Sequence, residues 1–534
     1  MAYSCDVAIV GFGPAGEALA SLLGRGGHRI VVFEKFPHPY GLPRMSTLDG
    51  EIARLLQHAG DRERALSSAI PQLEVELWGA QHQRIGSLDW RYKRAGHPSH
   101  LSVNQPDIEA AMEIKIAECP SVDVRWGREV TSFEPLVGGG YKITATSPGI
   151  DGGDPSEESV TARFLVGMDG ASSMVRQRLG IDLEVVHQHQ DRWVLTDFDV
   201  IGELPNGLDH RIYTDMDCEQ PYFYGPNGKG RCRTDVRLLP GDADDIADDH
   251  DAAYEFLERR VGVPRSEVKV TRRVLYRFRS QIAKQLRVGN AFIGGDAAHA
   301  MPPFLGQGAC TAMRDSAGLA WKLDLVLSGK ADEALLDTYE SERLEHSGQF
   351  VHGSFGTLSL VTVSDPEEAA MRDTFVQDQG AVEFHPDPIM DGVIRRSADG
   401  TPASDAGELA PQGQVSVDGS SPQLLDDVVG YGFQLLFREP VIEALGDQRR
   451  QRLAELGFLF IAVDCKDAGA QNVEDADGTY AEFFGTRGAT ALISRPDFYL
   501  FGIANGVHDT LALVDDLLAQ IPAPSPAVIP AVAS

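Results

Sequence analysis

The stretch that most constrains this 534-residue chain lies at its beginning. CDVAIV, at 5–10, is a short apolar run; GFGPAG follows at once, and EALASLLGRGG then reads as a helix of small residues. HRIVVFEK supplies a second apolar strand that closes on Glu34 and Lys35. Together they open a βαβ unit. Gly11, Gly13 and Gly16 match G-x-G-x-x-G, with Ala15 inside the motif, at the mouth of that helix. Glycines there allow a tight turn and close backbone approach to a pyrophosphate, whose charge sits at the helix N-terminus. Glu34, 18 positions after Gly16, stands where a carboxylate accepts hydrogen bonds from a ribose diol. A lone glycine triplet would say little, but strand, helix and acid together predict a Rossmann-like dinucleotide site.

Bulk properties narrow the partners. Asp and Glu number 79 against 48 Lys and Arg, a formal charge of -31. Nucleic acid demands a basic surface, so it is excluded as a partner, and anionic membranes are disfavoured. No apolar run approaches the roughly 18 residues of a membrane span. The N-terminus runs straight into a strand without a basic leader, which predicts a cytoplasmic protein. Six scattered cysteines form no C-x-x-C pair, so neither a disulfide framework nor a zinc site is expected. His187 and His189 form an H-x-H with no accompanying carboxylate or cysteine pattern, and no metal is expected there.

The chain reads as two to four domains. Residues 1–185 form the first part of an α/β nucleotide domain. A stretch at 147–159, SPGIDGGDPSEES, reads as a hairpin loop. Residues 186–285 are β-like and turn-rich, a mostly antiparallel sheet inserted into that domain, with an acidic helix around 244–258 as a solvated face. The α/β text resumes over 286–395, with a long helix from Ala309. A loose linker near 397–414 leads to a last domain at 410–522, and the tail 523–534 is expected to be disordered.

No second G-x-G-x-x-G follows a strand, so one nucleotide fold is present, and a nicotinamide dehydrogenase would need only that one. It would not need two later motifs, FLVGMDGASSMVRQRLG (Asp169, Gly170, Arg176) and GDAAHAMPPFLGQG (295–308). With GFGPAG and Glu34, these resemble the FAD-dependent group A flavoprotein monooxygenases, over most of the chain. PPFLGQG followed by AC and MRDSAGLAWKL, with LPRMSTLD and NQPDIEAAM, is most similar to the 3-(3-hydroxyphenyl)propionate hydroxylase branch. The resemblance implies an α/β fold: a Rossmann-like FAD-binding domain, an inserted substrate sheet and a C-terminal thioredoxin-like domain. In that last domain Cys465 is single, which points to subunit contact or stabilisation, with a homodimer as candidate assembly, rather than redox work.

The implied activity consumes NADH or NADPH and O2, and hydroxylates a phenolic substrate, an aryl-alkanoic acid by preference, through a C4a-hydroperoxyflavin. A tailoring oxygenase of polyketide-like phenols or quinones is the alternative; a plain dehydrogenase and a non-catalytic flavin-binding protein stand behind it. Asp296 would contact the ribityl chain, and Gly306, Gln307 and Gly308 would aim the helix at 309 onward at the flavin, where reduced-flavin charge gathers. Arg44, Gln105 and Asp169 match cofactor-contacting positions, and Lys35, Val130, Gly295, Pro303, Ala309 and Cys310 complete the implied flavin set. Ala309–Cys310–Thr311 departs from an Asn-containing segment, and Gly318 replaces an Asn, which leaves redox tuning open.

Residues for the substrate are harder to read. Asp49 aligns with an acidic position of the suspected branch, or simply caps the helix that starts there. Alternation in RCRTDVRLLPG puts Arg233 and Asp235 on one strand face, facing substrate or solvent. Tyr213 and Tyr222, with Tyr224, line an aromatic pocket or pack in the core. Pro302 is assigned to the substrate side. His299 reads as structural.

Overall fold

The structure is a computed structural model that describes residues 3–148, 155–239 and 241–524. Its centre is an eight-stranded sheet. Strand β1 (Cys5–Val10) lies between β2 (Ile30–Glu34) and the long strand Ser156–Gly167, all three parallel. Val122–Trp126 extends the sheet beyond β2, and Ala291–Ile293 returns from far along the chain to lie parallel to Ser156–Gly167. β1 is almost wholly apolar and buried, as expected of a strand inside a parallel sheet. Helix α1 (Pro14–Arg25) packs on one face against helix Gly308–Leu327, and Ser316 Oγ donates to the Ala15 carbonyl at 2.7 Å. The predicted hairpin forms from Tyr141–Ser147 and Ser156–Gly167; most of its loop lies outside the described residues.

The second sheet has seven strands in the order Val268–Tyr276, Trp193–Val200, Arg231–Arg237, Tyr222–Pro226, Tyr213–Asp215, Glu74–Trp78, Arg84–Asp89. Five come from the stretch read as an inserted sheet. The last two come from far upstream, and Glu74–Trp78 joins parallel to Tyr213–Asp215. A parallel edge needs a long crossover, so local pattern cannot announce it. The acidic segment is broken into short turns of helix around His250–Phe256, with Ala253 and Leu257 anchored in the sheet's outer core.

The C-terminal unit is a seven-stranded mixed sheet. Leu459–Val463 runs parallel to Gln434–Phe437 and Gln471–Asp475, while Ala491–Ser494 and Leu500–Ala504 pair antiparallel beyond them. Helices Ile442–Leu456 and Gly506–Gln520 cover it. The stretch expected to be a loose linker is packed instead: Ala406, Ala410 and Gln412 are buried, because they seal the seam between this unit and the rest. Across that seam Arg54 forks onto Asp426 at 2.7 and 3.0 Å, both fully buried. Most of the expected disordered tail lies outside the described residues.

Candidate active site

One cavity of about 1020 Å³ runs between the nucleotide domain and the seven-stranded sheet. Its nucleotide end is built by the first βαβ unit. Gly11 has φ +100°, and a Cβ on it would meet the Met168 carbonyl oxygen at 2.3 Å. A Cβ on Gly16 would strike the Gly11 oxygen at 2.1 Å, so Gly16 shapes the turn and does not itself line the cavity. Gly13 lines the cavity, and a Cβ there would meet nothing within 4 Å, which leaves an open cradle at the start of α1. No side chain caps that helix, so its first N–H groups remain available to an anion. Glu34 accepts from the Phe12 and Phe36 N–H groups at 2.9 Å each, which pins its carboxylate beside the turn.

Further along, Lys35, Arg44, Gln105, Val130, Asp169, Gly295, Asp296, Pro302, Pro303, Gly306, Gly308 and Ala309 all line the same cavity. Gln105 Oε1 accepts from the Arg44 and Met45 N–H groups (3.0 and 2.9 Å), which fixes the strand of loop carrying Arg44. Asp169 uses both oxygens on Ser173, Met174 and Val175, so it caps a short helix at the cavity edge. Asp296 opens onto the lumen; burial beneath it pushes its carboxyl up, against the pull of His299 and Arg44. Helix Gly308–Leu327 points its N-terminus into the cavity with no side-chain cap. Gly306, at φ +65°, sets that turn against Thr47, where a Cβ would come within 2.8 Å.

Asp296 and His299 do not pair. His299 Nε2 meets Asp315 Oδ2 at 2.7 Å, and Asp315 also accepts from the Gly295 N–H and from Arg343 Nε, each at 2.8 Å. Asp315, from inside the long helix, is buried, yet His299 and Arg343 hold its carboxyl at about 2. The sequence pattern missed it because its partners are 16 and 28 positions away. Cys310 is buried beneath the turn, with its thiol near the Thr47 and Gly306 carbonyls, and is not in the lining.

The other end of the cavity lies on the seven-stranded sheet. Phe223 opposes Asp235 across the strand pair and Thr214 opposes Phe223, so all three point inward. Tyr213, Tyr222 and Tyr224 alternate onto the other face, where they pack with Phe198 and Val236. The expected aromatic pocket is thus core, a consequence of the two-residue period of a strand. Arg233 and Asp235 line the cavity and are buried rather than solvated. Arg233 donates to Asp197 Oδ1 (2.7 Å) and to the carbonyls of Arg44 (2.9 Å) and Pro43 (2.7 Å). It therefore ties the Arg44 loop to the sheet, a positioning role. Asp235 Oδ1 is buried without a hydrogen-bond partner among the described residues. Burial, opposed by Arg233, lifts its carboxyl to about 7.

Asp49 does not reach the cavity. One oxygen caps the helix Gly50–Ala59 by accepting from the Ile52 N–H at 3.0 Å, and the other is held by Arg314. Three lining residues gave no sequence signal: Trp90, stacked on His100 at 3.7 Å, and Arg94 beside them. Burial, aided by Arg94 and Arg314, pushes His100 down to about 4, so it is neutral at pH 7. Among the described residues no cluster fit for a metal occurs, and no helix is long and apolar enough to cross a membrane.

A glycine-lined cradle, two uncapped helix N-termini and a pinned acid at the second strand make this a flavin-nucleotide site with an adjoining substrate chamber. A family model described as "FAD binding domain" matches residues 4–354, and one described as "HcaD C-terminal domain" matches 407–520. A protein of Rhodococcus jostii named "Probable NADH-specific resorcinol 4-hydroxylase" is 31% identical over 98% of this chain and 97% of its own length. A 3-(3-hydroxy-phenyl)propionate/3-hydroxycinnamic acid hydroxylase of Mycolicibacterium smegmatis is 30% identical over 93% and 90%. The crystal structure of aklavinone-11 hydroxylase with FAD and aklavinone superposes with TM-score 0.76 at 21% identity, covering 97% of this chain and all of that one. The flavin-dependent monooxygenase PieE superposes with TM-score 0.78 at 21% identity, over 97% and 98%. The chain belongs to the FAD-dependent group A flavoprotein monooxygenases, the aromatic hydroxylases.

The cradle gives a direct test of the flavin assignment. Because a Cβ at Gly13 would meet no protein atom within 4 Å, Gly13→Val is expected to fold yet retain FAD roughly tenfold or more weakly, through loss of close pyrophosphate approach. Flavin-to-protein absorbance after gel filtration measures it. Full flavin retention would remove the pyrophosphate from this turn.

Proposed function

We propose that the protein uses NADH or NADPH and O2 to hydroxylate a phenolic ring, with Asp235 taking the phenolic proton. When bound and reduced, FAD supplies the oxygen-activating chemistry. The protein's own contribution is to orient the ring, exclude water and hold a base. The observation that carries this reading is Asp235, a buried residue in the wall of a chamber continuous with the flavin cradle, whose Oδ1 has no hydrogen-bond partner among the described residues. A carboxyl at about 7 is poised for proton transfer near neutrality. Leu77, Ile212, Met216 and Phe223 give the chamber apolar walls that keep a flat ring dry. Glu34 is assigned the ribose, Asp296 the ribityl chain, and the Gly308 helix end the flavin ring.

The domain division follows: 1–185 with 286–395 for flavin, 186–285 for most of the substrate wall, and 410–522 as a stabilising unit. A cytoplasmic homodimer is the proposed form. The test is a panel of simple phenols, hydroxyaryl-alkanoic acids and larger polycyclic phenols given to the FAD-loaded protein. NADH and NADPH oxidation, O2 uptake and product identity are measured. The expected result is coenzyme oxidation stimulated by a phenolic compound and matched by hydroxylated product; a panel in which no phenol stimulates it would defeat the proposal. A preference for the polycyclic members would favour the tailoring alternative.

A further inference from the structure

Several cations line the cavity, and most are already committed. Arg233 is held by Asp197 and two carbonyls. Arg372 binds Asp373 and the Met216 and Leu360 carbonyls, and Arg128 pairs with Glu158 at 2.9 Å. Lys35 and Arg44 belong to the nucleotide end, where Arg44 lies over the Tyr40 ring at 4.4 Å. Arg94 differs. Its guanidinium makes no hydrogen bond to any described residue. Its one ion contact among the described residues, to Glu51 Oε2, is 3.5 Å long. That carboxylate is already satisfied by Arg314 Nε at 2.9 Å and by the Tyr499 hydroxyl at 2.7 Å.

Arg94 is also well placed. It sits on a two-residue hairpin strand, Lys93–Arg94, paired with His97–Pro98. Its carbonyl is pressed against Gly50, where a Cβ would come within 2.2 Å, so the backbone beneath the side chain is fixed. The side chain keeps a quarter of its surface open and lines the substrate end of the cavity with Trp90 and His100. Neutral His100 brings no competing positive charge. Asp49, Glu51, Arg314 and Arg94 together sum to zero charge, so an incoming anion meets a guanidinium with unused hydrogen-bond donors rather than an excess of negative charge in that cluster.

We infer that Arg94 binds the carboxylate of the substrate, making the substrate class a phenol that carries a carboxylate side chain. This rests on the phenol-hydroxylase reading above and deepens it. A planar fork with unused donors at a partly dry wall binds a carboxylate through two parallel charge-assisted hydrogen bonds. The phenol end then lies toward Asp235 and the acid end toward Arg94, which fixes which way round the ring enters.

The test is binding rather than turnover. FAD-loaded full-length protein is titrated with 3-(3-hydroxyphenyl)propionic acid and with its methyl ester, followed by perturbation of the flavin spectrum. Wild type is expected to favour the acid by about 10- to 100-fold, the range for hydrogen bonds to a charged group. Arg94→Met is expected to erase that preference, mainly by weakening the acid, and Arg94→Lys to restore part of it. Equal affinity for acid and ester in wild type, no binding of the acid, or an unchanged acid affinity in Arg94→Met would each overturn the assignment. Should Arg94→Met not retain flavin, Arg94→Gln and Arg94→Lys carry the comparison on the same criterion. Failure of the hydroxylase reading would show separately, as acid-selective binding without hydroxylated product.

Discussion

Asp235→Asn is expected to lower phenol hydroxylation by about 10²- to 10⁴-fold, the usual contribution of a positioned general base. The wild-type rate should climb as pH rises through about 7, where the Asp235 carboxyl ionises, and the variant should lose that limb. Stability is expected to move the other way. The folded-state carboxyl titrates about 7 against 3.8 when free, so the native protein holds the extra proton. Such a group stabilises below pH 3.8, and that contribution is lost as pH rises through 7. Asparagine removes the titration, so above pH 7 the variant should be more stable, with a linkage ceiling of about 4 kcal/mol. Rate profiles and urea denaturation at pH 6 and 8.5, both on flavin-loaded protein, measure the pair of effects. A variant that keeps the wild-type pH limb would remove Asp235 from the proton path.

The opposite signs matter because a merely structural carboxyl would not produce them. Asp235 has Arg233 two positions before it on the same strand face and Arg272 nearby, yet neither satisfies its Oδ1: Arg233 faces Asp197 and the loop carbonyls, and Arg272 reaches Pro43. A buried, unsatisfied acid is a stability liability, and such liabilities collect at functional sites.

The same contrast explains what could be read from the sequence. The nucleotide end was legible because its parts are contiguous: strand, glycine turn, helix and acid fall within the first 34 residues, and the GQG turn adjoins the helix it aims. The overall α/β architecture followed from that, with the inserted sheet and last domain. The substrate end was not legible, because it is assembled from strands at 74–89, a hairpin at 93–98, the middle sheet and late helices. Strand alternation found the face of Arg233 and Asp235 but could not say that the face is buried. It also could not tell that Tyr213 and Tyr222 turn away while Thr214 and Phe223 turn in, since both faces carry aromatic rings. Asp49 shows a different limit. Its N-cap position is local and readable, whereas Arg314, which occupies its second oxygen, is 265 positions away.

Arg314→Met is expected to be the most destabilising of the changes considered. Arg314 is buried and serves Asp49, Glu51 Oε2 (2.9 Å) and Gln307 Oε1 (2.9 Å), with its guanidinium over the Phe350 ring at 4.9 Å. Removing it strands two buried carboxylates, a loss of about 3–5 kcal/mol. The loss should depend on pH. In wild type, burial pushes the Asp49 carboxyl up, but Arg314 and then Arg94 pull it down to about 2. That contribution is present above 3.8 and disappears as pH falls toward 2. Without Arg314 the burial effect dominates and the carboxyl rises, so the variant is penalised as pH rises and carboxylates ionise. The deficit should therefore be largest near pH 7 and shrink by pH 4.5, as read from urea denaturation followed by tryptophan fluorescence. Asp49→Asn in the Arg314→Met background should recover part of it. Because Gln307 precedes the helix aimed at the flavin and Tyr499 anchors Glu51 from the C-terminal unit, flavin affinity should weaken in parallel. A deficit identical at both pH values, with flavin affinity untouched, would mean that the cluster neither carries the buried charge nor links the C-terminal unit to the site.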